Sequence, residues 1–316
     1  MMGYSQWSDN AYQQRQQHRR RAKQSAFIYD RQVRSSGIIR VHPQMDPYCV
    51  NRESRDSADH PTSVAIAVLF DVTGSMGIVP QVLQTKLGKL MRLLTERGYL
   101  EHPQILFGAV GDAHTDAVPL QIGQFESGLE MDDDLGKIYL EGGGGGQVHE
   151  SYELALYFCA RHMAIDCYER RRKKGYLFTI GDEKPYPAVV RQQVAQQIGD
   201  PLERDLPIEQ IITEVQQRYE YFHIVPTHTA HGQSSEVQQR WRALLGERVL
   251  LLNDEAAVCE TIALAIGLCE GAIYNLHDAT ADLTGAGYDQ AATTAAATAL
   301  TPYVADRQPS QWTVVA

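Results

Sequence analysis

Closely spaced cysteine pairs, a long apolar run and a surplus of positive charge are all missing from this 316-residue sequence. The five cysteines (Cys49, Cys159, Cys167, Cys259 and Cys269) are odd in number and never spaced Cys-x-x-Cys, which argues against a disulfide framework and against a zinc ribbon. They are expected as reduced thiols, most of them in a core. No stretch reaches the roughly 18 uninterrupted apolar residues that a bilayer span needs. The best candidate, residues 256–269, is shorter and carries Glu260 and Thr261. Residues 1–40 hold Gln and Arg where a secretion signal needs an apolar centre, so a cytoplasmic protein is expected. With 29 Lys and Arg against 39 Asp and Glu, the net charge of −10 has the wrong sign for a chain whose main task is coating nucleic acid or a membrane.

What is present is ordinary globular composition, 43% hydrophobic and 22% charged, enough to bury a real core. Residues 1–61 are polar and rich in Arg and Gln, including Arg19-Arg20-Arg21, and read as a solvated N-terminal extension and linker. At Ser63 the texture changes. Residues 64–70 (VAIAVLF) are apolar at every position, as a strand covered on both faces must be. Val79, Val82, Leu83, Leu87, Leu90, Met91 and Leu94 then recur at helical spacing, and Gly98 closes the run. Extended stretches at 104–110, 119–125, 175–180, 221–227 and 249–252 alternate with helical ones near 132–139, 150–173, 188–197, 208–218, 235–246 and 256–269. For the helix at 235–246, Ser235 and Gln238 form a capping box. This alternation predicts an α/β fold over residues 62–272: a doubly wound, mostly parallel central sheet with helices on both faces. Residues 273–316, rich in Ala and Thr, are expected as a mobile tail.

In an open α/β sheet, ligands bind at the carboxyl ends of the strands. After the first strand comes Asp71-Val72-Thr73-Gly74-Ser75-Met76, after the second Gly111-Asp112-Ala113-His114-Thr115-Asp116, and after residues 175–180 Gly181-Asp182-Glu183. A glycine run, 142–146, ends in Gln147-Val148-His149-Glu150. These carboxylates and hydroxyls form an oxygen set suited to a hard divalent cation. An Asp or Ser there could instead cap a helix, but capping explains one oxygen and not three. Asp112 and Asp116 read equally as wet loop residues. Glu150 is expected to favour the N-terminus of the following helix through the macrodipole rather than to hold metal. His223, His228 and His231 lack the spacing of a zinc site. The basic run 170–174 ends a helix, where cations are favoured.

The segment DVTGSM at the end of a buried strand resembles the DxSxS metal-ion-dependent adhesion site (MIDAS) of von Willebrand factor A domains, with Thr73 in the middle position. GGGGGQVHES is similar to that family's glycine-rich loop, and LFTIGDE to its strand ending in a metal-loop Asp; the likeness spans roughly residues 62–270. The resemblance implies a Rossmann-like fold and Mg²⁺ or Mn²⁺ at Asp71, Thr73, Ser75 and Asp182, with Asp112, Gln147 and Ser151 nearby. It also implies intracellular, metal-dependent capture of an acidic side chain on a partner protein, with no covalent chemistry, and an AAA+ ATPase as a partner class. The family places a Thr after the glycines, whereas here Gln147, Val148 and Ser151 stand there, so Ser151 or a water would fill that position. Two other readings remain open. A Mg²⁺-dependent phosphohydrolase of the haloacid dehalogenase type would need an Asp where Thr73 stands, leaving no general acid. An RNA-associated scaffold using the arginine-rich segment runs against the net charge.

Overall fold

A run of eight residues that is apolar up to its last position has both faces to bury, and it lies at the middle of a sheet. The computed structural model describes residues 6–76, 78–142 and 148–306, with the backbone alone at Ser75. Strands β1 (Val64–Asp71), β2 (Pro103–Val110), β3 (Leu120–Ile122), β4 (Gly175–Ile180), β5 (Tyr219–Pro226) and β6 (Val249–Leu252) form one sheet in the order β6-β5-β4-β1-β2-β3. All neighbours are parallel except β2 and β3, which run antiparallel. That edge pairing is close. A Cβ at Gly108, opposite Ile122, would fall 2.5 Å from Leu69 Cδ2 and 2.7 Å from the Gln121 carbonyl.

The longer helices are α1 (Asp9–Ala22), α2 (Ile28–Ser36), α3 (Val79–Thr95), α4 (Tyr152–Arg161), α5 (Ile208–Arg218), α6 (Ser235–Leu245), α7 (Val258–Cys269), α8 (Leu276–Gly285) and α9 (Gln290–Asp306). Side chains alternate across β1. Ile66, Val68 and Phe70 enter one apolar layer with α3, α7 and α9. Ala65, Ala67 and Leu69 enter the other with α4, α5 and α6. The chain is therefore an α/β protein built on a mostly parallel six-stranded sheet. No helix among the described residues is long and apolar enough to cross a membrane.

Both ends of the chain depart from expectation. The N-terminal segment is not a solvated extension: Tyr12 and Phe27 are buried in the α3 layer, and the Tyr12 hydroxyl donates to the Gln84 carbonyl. Arg19 holds the buried Asp132 through two hydrogen bonds of 2.8 and 2.6 Å. A helix that docks through one aromatic and a few polar pairs has no apolar stripe for the sequence to display. The C-terminal segment is not mobile up to Asp306, because Ala292, Ala296, Leu300 and Tyr303 of α9 pack into the same layer, where small residues let α9 approach α7 closely. Residues 307–316 lie outside the described residues.

The expected helix over 150–173 is also broken. After α4 the chain extends as Met163–Ile165, pairs in parallel with Arg52–Ser54, and turns helical again over Asp166–Arg171. Smaller shifts occur elsewhere: the segment near 132–139 is helical over Glu130–Gly136, that near 188–197 over Arg191–Gln197, and Ser234 rather than Ser235 caps α6.

Candidate metal site

The chain leaves β1 toward β2 on one side of the sheet and leaves β4 toward β5 on the other, so the carboxyl ends of these neighbouring strands border the crevice where open α/β sheets bind ligands. Asp71 is the last residue of β1; Asp182 and Glu183 follow β4. Asp71 is fully buried, and its Oδ1 accepts from the backbone N–H of Thr73 (2.7 Å) and from the Thr73 hydroxyl (2.6 Å). Its Oδ2 is buried without a partner. Asp182, also fully buried, accepts from the His231 backbone N–H at 3.0 Å. Glu183 is anchored through its carbonyl, which accepts from Trp241 Nε1 at 2.8 Å, while its side-chain Oε2 is buried without a partner. One oxygen from each of Asp71, Asp182 and Glu183 lies within 4.8 Å of the others.

A fourth acid lies alongside. His149–Glu150 forms a two-residue parallel pairing with Lys184–Pro185, which brings Glu150 beside Glu183, and Glu150 Oε2 is likewise buried and unpartnered. These carboxyl groups raise one another's proton affinity. Burial, and then the charge of its acidic neighbours, pushes Glu150 up to about 12 and Glu183 up to about 9. Burial also pushes Asp71 up to about 7, against the lowering effect of the two Thr73 hydrogen bonds. Buried acids that repel one another and leave oxygens unsatisfied are stabilised either by protons or by a cation. The oxygen-only donor set suits Mg²⁺ or Mn²⁺.

Of the residues singled out in the sequence, Thr73 bonds to Asp71, and an Asp182 oxygen lies within 4.8 Å of one from Asp71. Ser75 lies in a tight turn, Gly74–Met76, and its side chain falls outside the described residues, as does the whole of Gln147. Asp112 is occupied within its own loop: its oxygens accept from the His114 N–H (2.9 Å), the Thr115 hydroxyl (3.0 Å) and the Tyr186 hydroxyl (3.2 Å). The Ser151 hydroxyl oxygen accepts from the Ala113 N–H at 2.9 Å, fastening the loop after β2 to the start of α4. Val148 packs partly against the apolar layer.

Sequence reasoning did not single out Glu183. The doubled acid Asp182-Glu183 was a visible signal for it. Glu150 lies just ahead of α4, in a two-residue strand that no periodicity reveals.

Among the described residues the histidines form no cluster of their own, and His231 Nε2 lies 4.0 Å from Glu183 Oε1. His223 is buried in β5, bonded to Thr179 Oγ1 (2.7 Å) and stacked on Trp241, while His228 pairs with Glu255 at 2.7 Å. Most of the basic run at the end of the helix Asp166–Arg171 is paired, Arg170 with Asp166 (3.4 Å), Lys173 with Glu270 (2.8 Å) and Lys174 with Glu220 (3.6 Å), while Arg172 lies over the Tyr168 ring.

No family model matches the chain, and no curated protein matches it. Among solved structures it is similar to the pilus adhesin SpaC from Lactobacillus rhamnosus GG in its open conformation, at 8% identity and a TM-score of 0.44 over 72% of this chain and 33% of the adhesin. It is also similar to proximal thread matrix protein 1 from the mussel byssus, at 11% identity and a TM-score of 0.42 over 69% of this chain and 48% of that one. The chain thus spans about a third of the adhesin and under half of the mussel protein. Likenesses this distant transfer no ligand, partner or activity to the chain.

Proposed function

We propose that the chain is a metal-dependent protein-binding module of the von Willebrand factor A type, with a doubly wound sheet and a MIDAS-like site for Mg²⁺ or Mn²⁺. Asp71, Asp182 and Glu183 supply carboxylate oxygens, Thr73 orients Asp71, and Glu150 lies beside Glu183. The observation that carries this reading is the convergence of three carboxylate oxygens within 4.8 Å, with Asp71 Oδ2 and Glu183 Oε2 buried and unpartnered. Bound there, the ion would offer an exchangeable position to a side chain of a partner protein.

The partner group of this proposal is an acidic side chain, and an AAA+ ATPase is the partner class to try first. Three ionised carboxylates leave a divalent ion in a net negative shell. A cytoplasmic setting fits the free thiols of Cys159, Cys167 and Cys259 inside the core. The phosphohydrolase alternative lacks support at residue 73, whose hydroxyl donates to Asp71 at 2.6 Å and cannot serve as a general acid. Titrating Mn²⁺ into the protein by electron paramagnetic resonance tests the proposal. Saturable binding lost in Asp71→Ala is expected, and no binding by the wild type overturns it.

A further inference from the structure

A buried hydroxyl with nothing to bond is costly in a folded core, and native structures hold few of them. Tyr152, at the first turn of α4, has one: the residue is fully buried and its hydroxyl has no partner. The ring is fixed edge-on against Trp241 (5.2 Å between centroids) and His223 (5.5 Å), which holds the hydroxyl where it is. It occupies space that only a glycine leaves open. A Cβ at Gly181 would stand 1.7 Å from the Tyr152 oxygen and 3.1 Å from Asp71 Cβ. The hydroxyl therefore lies on the floor of the crevice, between the end of β1 and the turn that carries Asp182. Asp71, Glu183, Glu150 and Asp182 all act on it electrostatically.

We infer that the Tyr152 hydroxyl is a positioning donor for the metal site, giving its hydrogen bond to an oxygen bound to the ion. This rests on the metal reading above. The carboxyl groups of Asp71 and Glu150 each meet that of Glu183, and the Tyr152 hydroxyl is left over. Drawing those oxygens onto a cation leaves their outer lone pairs in need of donors, and such outer partners fix the orientation of the oxygens that hold a metal. A phenol that keeps its proton is suited to that role. Gly181 is then explained as well, because any side chain at 181 would displace the donor.

Tyr152→Phe removes the hydroxyl and keeps the ring against Trp241 and His223. Its Mn²⁺ Kd, read by electron paramagnetic resonance, should weaken by about tenfold. Its melting temperature in EDTA should equal or exceed that of the wild type, since an unsatisfied buried group has gone. An unchanged Kd overturns the assignment while leaving the metal site standing. A melting temperature in EDTA that falls along with the affinity also overturns it, because Tyr152 would then hold the fold rather than the ion. A wild type that binds no Mn²⁺ removes both this inference and the reading beneath it. Should the Phe variant not fold, 3-fluorotyrosine placed at position 152 gives a second readout: its ¹⁹F resonance should move on saturation with Mg²⁺, and a fixed resonance overturns the inference.

Discussion

Asp71 divides its two oxygens between order and chemistry. Oδ1 takes both Thr73 donors and fixes the loop, and Oδ2 receives no hydrogen bond from an N–H or hydroxyl donor. Asp71→Asn should therefore separate the two roles. In EDTA the variant should be as stable as the wild type or more so, because a buried charge has been removed. The stabilisation that Mg²⁺ gives the wild type, about 2.7 kcal/mol at a hundredfold excess over Kd, should vanish in thermal melts. Persistence of the full Mg²⁺ shift in Asp71→Asn would place the ion elsewhere.

The same residues set the pH dependence of the metal-free protein. Asp71, Glu183 and Glu150 hold protons in the folded state up to about 7, 9 and 12, whereas unfolded carboxyls release theirs near pH 4. The folded state thus binds more protons across that window, and its stability is full below about pH 4 and declines as pH rises through 7 and 9. Urea midpoints in EDTA should fall from pH 5 to pH 9, and saturating Mg²⁺ should flatten the decline because the ion takes the place of protons. A flat profile in EDTA would show that the cluster is not strained.

At the level of elements, α1 is more firmly attached than its composition suggests. Tyr12→Ala should cost about 3 kcal/mol in urea unfolding, since the ring is buried and its hydroxyl is bonded to α3. A loss under half a kcal/mol would mean that α1 is only laid on the surface. What could be read in the sequence follows from the same contrast. β1 and α3 were legible because a strand buried on both faces shows unbroken apolar residues, and a helix buried on one face shows Leu83, Leu87, Leu90 and Leu94 at its period. α5 and β6 were legible for the same reasons. α1 and α9 were not. One is held by Tyr12 and the pair Arg19–Asp132, and the other by alanines whose small size permits close approach without marking a face. Of the site, Asp71 and Asp182 could be found because each follows an apolar strand. Glu150 could not, because its position depends on a pairing with Lys184–Pro185 that forms only once the sheet is assembled.

For the whole molecule, the distribution of charge separates the protein-binding reading from the nucleic-acid one. Arg19 is spent on Asp132, and Arg170, Lys173 and Lys174 on nearby acids, which leaves those cations little to offer a phosphate backbone. A complex captured with the intact chain should dissociate in EDTA and weaken only modestly between 50 and 200 mM salt. Indifference to EDTA with a steep salt slope would point to nucleic acid instead.

The sheet order has a mechanical consequence. A partner pulling on an ion held by Asp71 and Asp182 would load β1 and β4 along their own axes. These are the two central strands, paired with each other and flanked by β2 and β5. Force in that direction shears many parallel hydrogen bonds at once, where a pull on an edge strand would open them in succession. The grip would sit on the part of the molecule that gives way last.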